Sequence, residues 1–365
     1  MVKITVITVV YNAIDTIERT IRSVFTQSYT NIEYIIIDGG STDGTLGIIH
    51  RYRDRLAYFV SEPDRGIYDA MNKGIQKATG DIIGLLNADD WYEPDGIEAV
   101  VTEYKRTSPS IIAGGTWMIK KNGEKRLRNA VPFSTLWKGM MCHQAIFISR
   151  KAYEMYGLYD TDYKIAADYE LLLRMYHRGA TVSIISDILV NYSCTGVSST
   201  AYIESAEEAN LTIQKYKGLY KAHEAEISRV CTERLKRARC SYCLENFPLL
   251  LASAIYTKRK QKKAVIWGTG SWGSVLAEFC CHSGIQIDFF VDSDEKKQKQ
   301  LFYEIDVKSP IVLQKYIGIV FIAVKDYDVE IAEQLVDLNN EGLRWMTLRD
   351  FIDIAANCYD KQTVK

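Results

Sequence analysis

Between Ile4 and Leu86 the chain alternates short β-branched runs with stretches of helical spacing: Ile4 to Val10, Ile14 to Thr26, Glu33 to Ile37, Asp43 to Tyr52, Ala57 to Ser61, Ile67 to Lys77 and Asp81 to Leu86. Strands separated by helices are the signature of βαβ units, and such units demand a parallel sheet with helices on its faces. In an open parallel sheet a ligand binds beyond the carboxyl ends of the strands. Four such ends carry polar residues: Tyr11-Asn12, Asp38-Gly39-Gly40, Glu62-Pro63-Asp64 and Asn87 to Asp90.

The last of these is the most telling. Asp89 and Asp90 follow the apolar run Ile82 to Leu86, so a buried strand delivers two adjacent carboxylates to a cleft. A hard cation such as Mg2+ or Mn2+ takes one or two carboxylates together with phosphate oxygens, which suits a nucleotide diphosphate. Asp38 closes another strand before Gly39-Gly40-Ser41-Thr42-Asp43-Gly44, where a carboxylate can accept from the imide N–H of uracil. Asp43 itself, with Ser41 and Thr42, is equally placed to cap the next helix. Asp64 adds a third acidic loop, and acids that converge need a cation between them.

Past Ile111 the texture changes to short strands around Ile111 to Ile119, an Asn122-Gly123 turn and a strand from Gln144 to Ile148, which favours antiparallel pairing. Helices are expected over Arg150 to Tyr156 and Asp168 to His177, each stopped by a glycine, Gly157 and Gly179. Residues 201 to 260 read as a helical linker, and a second α/β unit fills 261 to 365; the first domain takes 1 to 200. A length of 365 residues, 47% hydrophobic and 25% charged, suits two globular domains.

The net charge of −1 gives no reason to expect nucleic acid. From Lys217 to Lys263, however, twelve Lys or Arg face four Asp or Glu, either a solvated helix face or a dock for an anionic membrane surface. No signal-peptide pattern opens the chain, and the best apolar run, Phe247 to Tyr256, is about half of a membrane span. The expected location is the cytoplasm, or the periphery of the inner face of the plasma membrane. Eight irregularly spaced cysteines read as reduced thiols, including Cys240 and Cys243, which lack a second pair or a nearby His to make a metal site.

With these residues in hand, positions 1 to about 215 resemble the family-2 glycosyltransferases of GT-A fold. The resemblance spans Val9 to Asn12, Ile37 to Thr45, Glu62 to Gly74, Asn87 to Asp90 and Ala167 to Arg174, in that order. It implies a nucleotide-sugar donor, UDP-linked by the uracil argument, a divalent metal and inversion at the anomeric carbon. It further implies that the donor lies against Val10, Asn12, Asp38, Asp64, Asn72 and Asp89, with Asp38 and Asp64 on the base. Asp90 would bind the metal, and Asp89 the metal or the ribose. Direct inversion needs a base on the sugar face opposite the departing diphosphate, and the family pattern makes it Asp168. Glu170, two residues on, must point elsewhere on the same helix. His143 and Gln144 occupy a position that in the family borders the acceptor or diphosphate. Asn87 and Ala167 depart from the pattern, each standing where an acid is frequent. Trp91, Tyr92, Trp117 and Trp137 are candidates to stack on sugars or to pack the core.

Processive members carry Gln-x-x-Arg-Trp and membrane spans. Here the Arg344-Trp345 pair follows Glu341 and lies in the second unit, so transfer of a single hexosyl or N-acetylhexosaminyl unit is expected. The acceptor implied is a saccharide, free or linked to polyprenyl diphosphate, in bacterial surface polysaccharide synthesis.

In the second unit Gly268-Thr269-Gly270-Ser271-Trp272-Gly273 follows a strand and opens a helix, and Asp292 closes the next strand about 20 residues on. That is the setting of a dinucleotide fingerprint, and the unit looks like a small Rossmann-like module holding a nucleotide or sugar nucleotide through Gly268, Gly270, Gly273 and Asp292. Two other functions stay open: an inactive nucleotide-sugar sensor, and an NAD-dependent oxidoreductase acting through this second unit.

Overall fold

The computed structural model describes residues 1–120, 123–194, 201–256, 263–324, 327–338 and 340–363. Asn122 of the expected turn, the run 258–262 of the basic stretch, and the first domain's expected end near 199 lie outside the described residues. The chain divides into two compact units, Met1–Cys231 and Thr232–Lys365.

In the first unit the elements are β1 (Ile4–Val10), α1 (Ile17–Phe25), β2 (Ile32–Asp38), α2 (Thr45–His50), β3 (Tyr58–Ser61), α3 (Ile67–Lys77), β4 (Ile82–Asn87), β5 (Trp91–Tyr92), α4 (Gly96–Thr107), β6 (Ile111–Ile119), β7 (Lys125–Arg128), β8 (Ile146–Ser149), α5 (Arg150–Tyr156), α6 (Ala167–His177), β9 (Val182–Ser193) and α7 (Tyr202–Lys215). The unit boundary falls inside α8 (Glu224–Asn246). The strands form one nine-stranded sheet in the order β3-β2-β1-β4-β8-β6-β9-β5, with β7 paired to β6. The parallel pairs β1/β2, β2/β3, β1/β4 and β6/β9, and the antiparallel β5, β7 and β8, leave six of the nine strands pointing one way.

All seven residues of β1 are buried, as a central parallel strand requires. Its side chains alternate between two cores. Ile7 and Val9 join Ile35, Ile37, Met71 and Leu171 on one face, and Ile4, Val6 and Val10 join Ile17, Ile21 and Tyr34 on the other. Helix α3 approaches the sheet closely at Gly74, where an added Cβ would lie 2.4 Å from Ile7 Cγ2. Helix α5 is capped by Ser149, whose Oγ accepts from Ala152 N at 3.2 Å. Gly157 (φ 91°) and Gly179 (φ 86°) follow the ends of α5 and α6 in left-handed conformations that glycine adopts without strain.

Two differences from the sequence expectation reach the site. The segment expected as a strand from Gln144 begins at Ile146, because residues His143–Ala145 turn in a 3-10 helix. Strand β9, twelve residues long, has no counterpart in the sequence reading. It pairs parallel to β6 and shifts register beside Gly115, and an added Cβ on neighbouring Gly114 would meet Leu189 Cγ at 2.5 Å.

The second unit holds α9 (Pro248–Ile255), β10 (Lys263–Trp267), α10 (Ser271–His282), β11 (Gln286–Val291), β12 (Leu301–Phe302), β13 (Ile305–Lys308), β14 (Gly318–Ile322), α11 (Asp328–Asp337), β15 (Leu343–Thr347) and α12 (Leu348–Thr363). Its sheet runs β12-β13-β11-β10-β14-β15, parallel throughout except β12/β13. Cys240 and Cys243 sit in its core, and burial pushes their thiols up to about 12 and about 11, far from the reactive thiolate range. Among the described residues no helix is long and apolar enough to cross a membrane.

Candidate active site

A cleft of about 1060 Å³ opens at the carboxyl ends of β1, β2 and β4 and is lined by Val10, Asn12, Asp64, Asp89, His143, Gln144 and Asp168 among others. Segments as far apart in sequence as Val10 and Asp168 therefore meet here. The expected site residues nonetheless divide into those that face the cleft and those spent on building it.

Asp38 belongs to the second group. It is fully buried, and its Oδ2 accepts from Gly40 N at 3.0 Å, Ser41 N at 2.9 Å and Ser61 Oγ at 2.6 Å. The other oxygen accepts from Ser41 Oγ. The carboxylate is thus committed to folding the glycine loop. That loop holds Asn12: Asn12 N donates to Ser41 Oγ at 2.8 Å, and Asn12 Oδ1 accepts from Thr42 N at 2.9 Å. Asp43, which does line the cleft, anchors both neighbouring segments by accepting from Ile14 N (3.0 Å) and Thr45 N (3.0 Å). Hydrogen bonds from Thr45 lead in holding its carboxyl below the usual range.

Asp64 faces the cleft. Its Oδ1 accepts from Gly66 N at 2.9 Å, and Oδ2 lies 2.6 Å from the place a Cβ on Gly39 would take. Gly39 is bare because this carboxylate passes it. Asn72 behaves otherwise: both ends of its amide are bound to the backbone of Tyr159, at 2.9 and 3.0 Å, tying α3 to the loop before α6.

At the end of β4 the adjacent acids part. Asp89 lines the cleft, and its carboxyl is raised by burial, against the opposing fields of Arg19 and His143. Asp90 is fully enclosed; Oδ1 accepts from Ser193 N at 2.8 Å and Oδ2 from Gln144 Nε2 at 2.7 Å. Burial first, and the charge of Asp89 second, hold the Asp90 carboxyl well above the usual range. It locks β4, the 3-10 turn and β9 together. Gln144 is correspondingly buried, accepting from Cys142 Sγ at 2.9 Å. Asn87, the departure from the acidic pattern, points a buried Oδ1 that has no hydrogen-bond partner among the described residues.

Asp168 opens α6, its Oδ2 3.2 Å from His143 Nδ1. Its Oδ1 accepts from Tyr169 N at 2.8 Å, with Tyr68 Oη 3.4 Å away. His143 Nε2 is buried with no hydrogen-bond partner among the described residues. Glu170 points into the interior, as its spacing from Asp168 requires, where it binds Arg174 (3.0 Å), Lys215 (3.2 Å) and Tyr216 Oη (2.6 Å). None of the four candidate stacking aromatics borders the cleft. Trp91 lies under Arg19 at 3.6 Å, Trp137 stacks on His223, Tyr92 packs on Phe147, and Trp117 stands opposite Leu127 in the β6/β7 hairpin. Tyr11 does border it, two-thirds exposed.

A divalent cation can be tested against these groups. Among the described residues no three His, Cys, Asp or Glu side chains gather to hold an ion unaided. The orphaned Asn87 Oδ1 and the Asp89 carboxylate are both hard oxygen donors on the cleft wall. Such a pair suits an ion that draws its remaining ligands from phosphate and water, so the residues present fit a cation that arrives with a diphosphate.

In the second unit Gly268 (φ 108°) donates its N–H to Val291 O at 2.7 Å, and an added Cβ on Gly273 would lie 2.2 Å from Gly268 O. Gly270 borders open space. Asp292 accepts from Thr269 N (3.2 Å), Thr269 Oγ1 (2.7 Å) and Lys297 Nζ (3.2 Å), so it clasps the glycine loop.

Residues 5–157 match the model of glycosyl transferase family 2. The chain is 37% identical over 202 residues to an uncharacterised glycosyltransferase of Mycobacterium tuberculosis, covering 54% of this chain and 77% of that protein. It is 32% identical over 173 residues to a PGL/p-HBAD biosynthesis glycosyltransferase of Mycobacterium bovis, covering 46% of this chain and 67% of that protein. A mannosyltransferase from Pyrobaculum calidifontis, solved with GDP-Man and Mn2+, shares the fold at a TM-score of 0.50 and 19% identity, over 78% of this chain and 86% of that one.

Proposed function

The chain belongs to glycosyl transferase family 2, and from that premise we propose that its first unit moves one sugar from a UDP-sugar to a saccharide acceptor, free or lipid-linked, with inversion. The observation that carries the reading is the meeting of Asp64, Asp89 and Asp168 in one cleft beyond the parallel strand ends.

The nucleotide base lies at the Tyr11 and Asp64 end. Asp64 accepts from its imide N–H, a contact that the bare Gly39 leaves room for, and the exposed Tyr11 ring offers a stacking face. Asp38 serves this end indirectly, by fixing the loop that holds Asn12. Asp89 and the amide oxygen of Asn87 would hold a divalent cation that arrives with the diphosphate. When bound, the cation neutralises charge on the leaving diphosphate, in keeping with the Mn2+ in the mannosyltransferase named above.

Asp168 takes the proton of the acceptor hydroxyl as that oxygen attacks the anomeric carbon and the carbon–diphosphate bond breaks. His143, 3.2 Å away, holds the receiving oxygen in place. The glycine loop and Asp292 of the second unit give it a nucleotide-binding role that is separate from transfer; loss of binding to that unit in Gly270→Asp, with transfer intact, is the expected outcome. A donor panel assayed for released nucleotide, with and without Mn2+ or Mg2+, tests the main reading. Release that requires both metal and acceptor supports it; equal release after chelation overturns the metal's part.

A further inference from the structure

Asp168 is the second residue of α6, and the start of that helix lacks a local cap. Ala166 stands at the N-cap position, where a methyl group can accept nothing, and no side chain caps the helix there. The acceptor comes from another helix. Glu208 of α7 takes three consecutive backbone N–H groups ahead of Asp168: its Oε1 accepts from Lys164 N at 2.9 Å, and its Oε2 from Ile165 N at 2.8 Å and Ala166 N at 2.9 Å. The middle residue of this strap is gripped at its other end as well. Ile165 O accepts from Tyr68 Oη of α3, which also lies 3.4 Å from Asp168 Oδ1.

Helix α7 holds the body of α6 separately. Lys215 Nζ lies 3.2 Å from Glu170 Oε1, and Tyr216 Oη, just past the end of α7, donates to the same oxygen at 2.6 Å. Ile213 is buried in the same core as Leu171 and Met175. The packing of the two helices therefore does not rest on Glu208 alone, and what Glu208 adds is confined to residues 164–166. Lys164, Ile165, Ala166 and Asp168 are among the described residues that line the cleft, and Glu208 is not. A carboxylate bound to three N–H groups of a short strap, ending two residues before Asp168, fixes where that side chain stands without itself meeting substrate.

Resting on the transferase reading above, we propose that Glu208 is a positioning residue for the transfer step: it holds Asp168 at the reach from which it takes the acceptor's proton, and has no part in holding the donor. Each backbone N–H has a fixed direction, and two oxygens of one planar carboxylate satisfy all three, so the place of the strap is set by this one side chain. Displacing a reacting group by about 1 Å costs on the order of a hundredfold in rate. A loosened strap is therefore felt in the rate of transfer before it is felt in binding. An amide is a poor substitute at this position, because replacing either oxygen by NH2 sets a donor against a backbone donor.

Glu208→Gln and Glu208→Asp, each alone and combined with Asp168→Asn, test this by single-turnover transfer per UDP-binding site, with UDP affinity and thermal midpoint measured on the same protein. Glu208→Gln is expected to lower the transfer rate about 10- to 100-fold with UDP affinity within about twofold of wild type. Glu208→Asp, which keeps both oxygens, recovers part of the loss. Neither lowers the rate further once Asp168 is replaced, because residues that act as one unit are not additive. A lowered thermal midpoint with the rate per UDP-binding site at its wild-type value makes the role structural and overturns the proposal. So does a loss that multiplies with that of Asp168→Asn, which gives Glu208 a path to the chemistry that avoids Asp168, and so does a fall in UDP affinity that matches the fall in rate. If Glu208→Gln does not fold, Glu208→Asp decides by the same criteria. A wild-type protein that transfers no sugar from any donor overturns the transferase reading and this proposal with it, whereas the other contrary results leave that reading standing.

Discussion

Replacing Asp168 by asparagine removes the charge that accepts the acceptor's proton while keeping the side chain's shape. The structure fixes what else should change. Oδ1 can still accept from Tyr169 N, now at 2.8 Å, and the new amide can face His143 Nδ1, now 3.2 Å from Oδ2, in the tautomer that leaves that nitrogen unprotonated. Among the described residues Asp168 pairs or hydrogen-bonds with His143, Tyr169 and Tyr68 and not with Asp64, so UDP affinity should hold within about twofold. Loss of a positioned general base costs roughly 10² to 10⁴ in rate, or about 3 to 6 kcal/mol at about 1.4 kcal/mol per decade. Single-turnover transfer followed by released UDP, with UDP affinity measured on the same preparation, reads both quantities. Transfer within tenfold of wild type, at unchanged acceptor saturation, would remove Asp168 from the chemistry. Loss of UDP affinity equal to the loss of rate would make it a donor-binding residue.

Three further outcomes follow from the packing. Gly39→Ala places a methyl group 2.6 Å from Asp64 Oδ2; the carboxylate must swing aside, so UDP affinity should fall about tenfold with the thermal midpoint hardly moved, whereas an unaltered affinity detaches Asp64 from the base. Glu170→Gln breaks a buried cluster with Arg174 and Lys215, and urea unfolding should show a loss of about 3 kcal/mol while the folded fraction keeps its UDP affinity; a neutral effect refutes the structural role. Glu33, which accepts from Lys3 Nζ, Thr5 Oγ1 and both Thr79 N and Thr79 Oγ1, is held at about 2 by those bonds against the opposing effect of burial, from an ordinary 4.5. Because its folded value is depressed, the stability it gives is complete above the ordinary value and is lost as pH falls from about 5 towards 2; the full contribution is at most about 3 kcal/mol. Glu33→Gln should lower the neutral-pH midpoint and flatten that acid limb, and parallel acid limbs in the two proteins would contradict it.

The sequence exposed most of what periodicity and strand ends can report. Strand β1, helix α3 and helix α5 have the expected bounds because each is framed by local signals: an unbroken β-branched run, a glycine before the first turn, a serine cap and a closing glycine. Strand β9 escaped because Asp187 interrupts its apolar run, and it is long enough only by pairing with β6 across a register shift at Gly115. For the site, spacing located the acidic strand ends but not the direction of each side chain. Asp38 and Asn72 were expected against the donor and Asp90 on the metal; in the structure their hydrogen bonds go to Ser41 and Ser61, to Tyr159, and to Ser193 and Gln144. Those partners come from elsewhere in the fold, so only the tertiary structure separates an acid that binds from one that braces. Tyr11 and Asp43 lay within the quoted motifs, and their place on the cleft wall was legible once the strand ends were known to converge. Glu208 carried no signal beyond its charge until the fold set it against the N–H groups of Lys164, Ile165 and Ala166.

Calorimetric titration with UDP, in Mn2+ and after chelation, tests the central claim most directly when wild type is compared with Asp89→Asn and Asp292→Asn. One site is expected in the first unit, weakened at least about tenfold by chelation or by Asp89→Asn and untouched by Asp292→Asn. Affinity that survives both chelation and Asp89→Asn, or that vanishes in Asp292→Asn, would contradict the account.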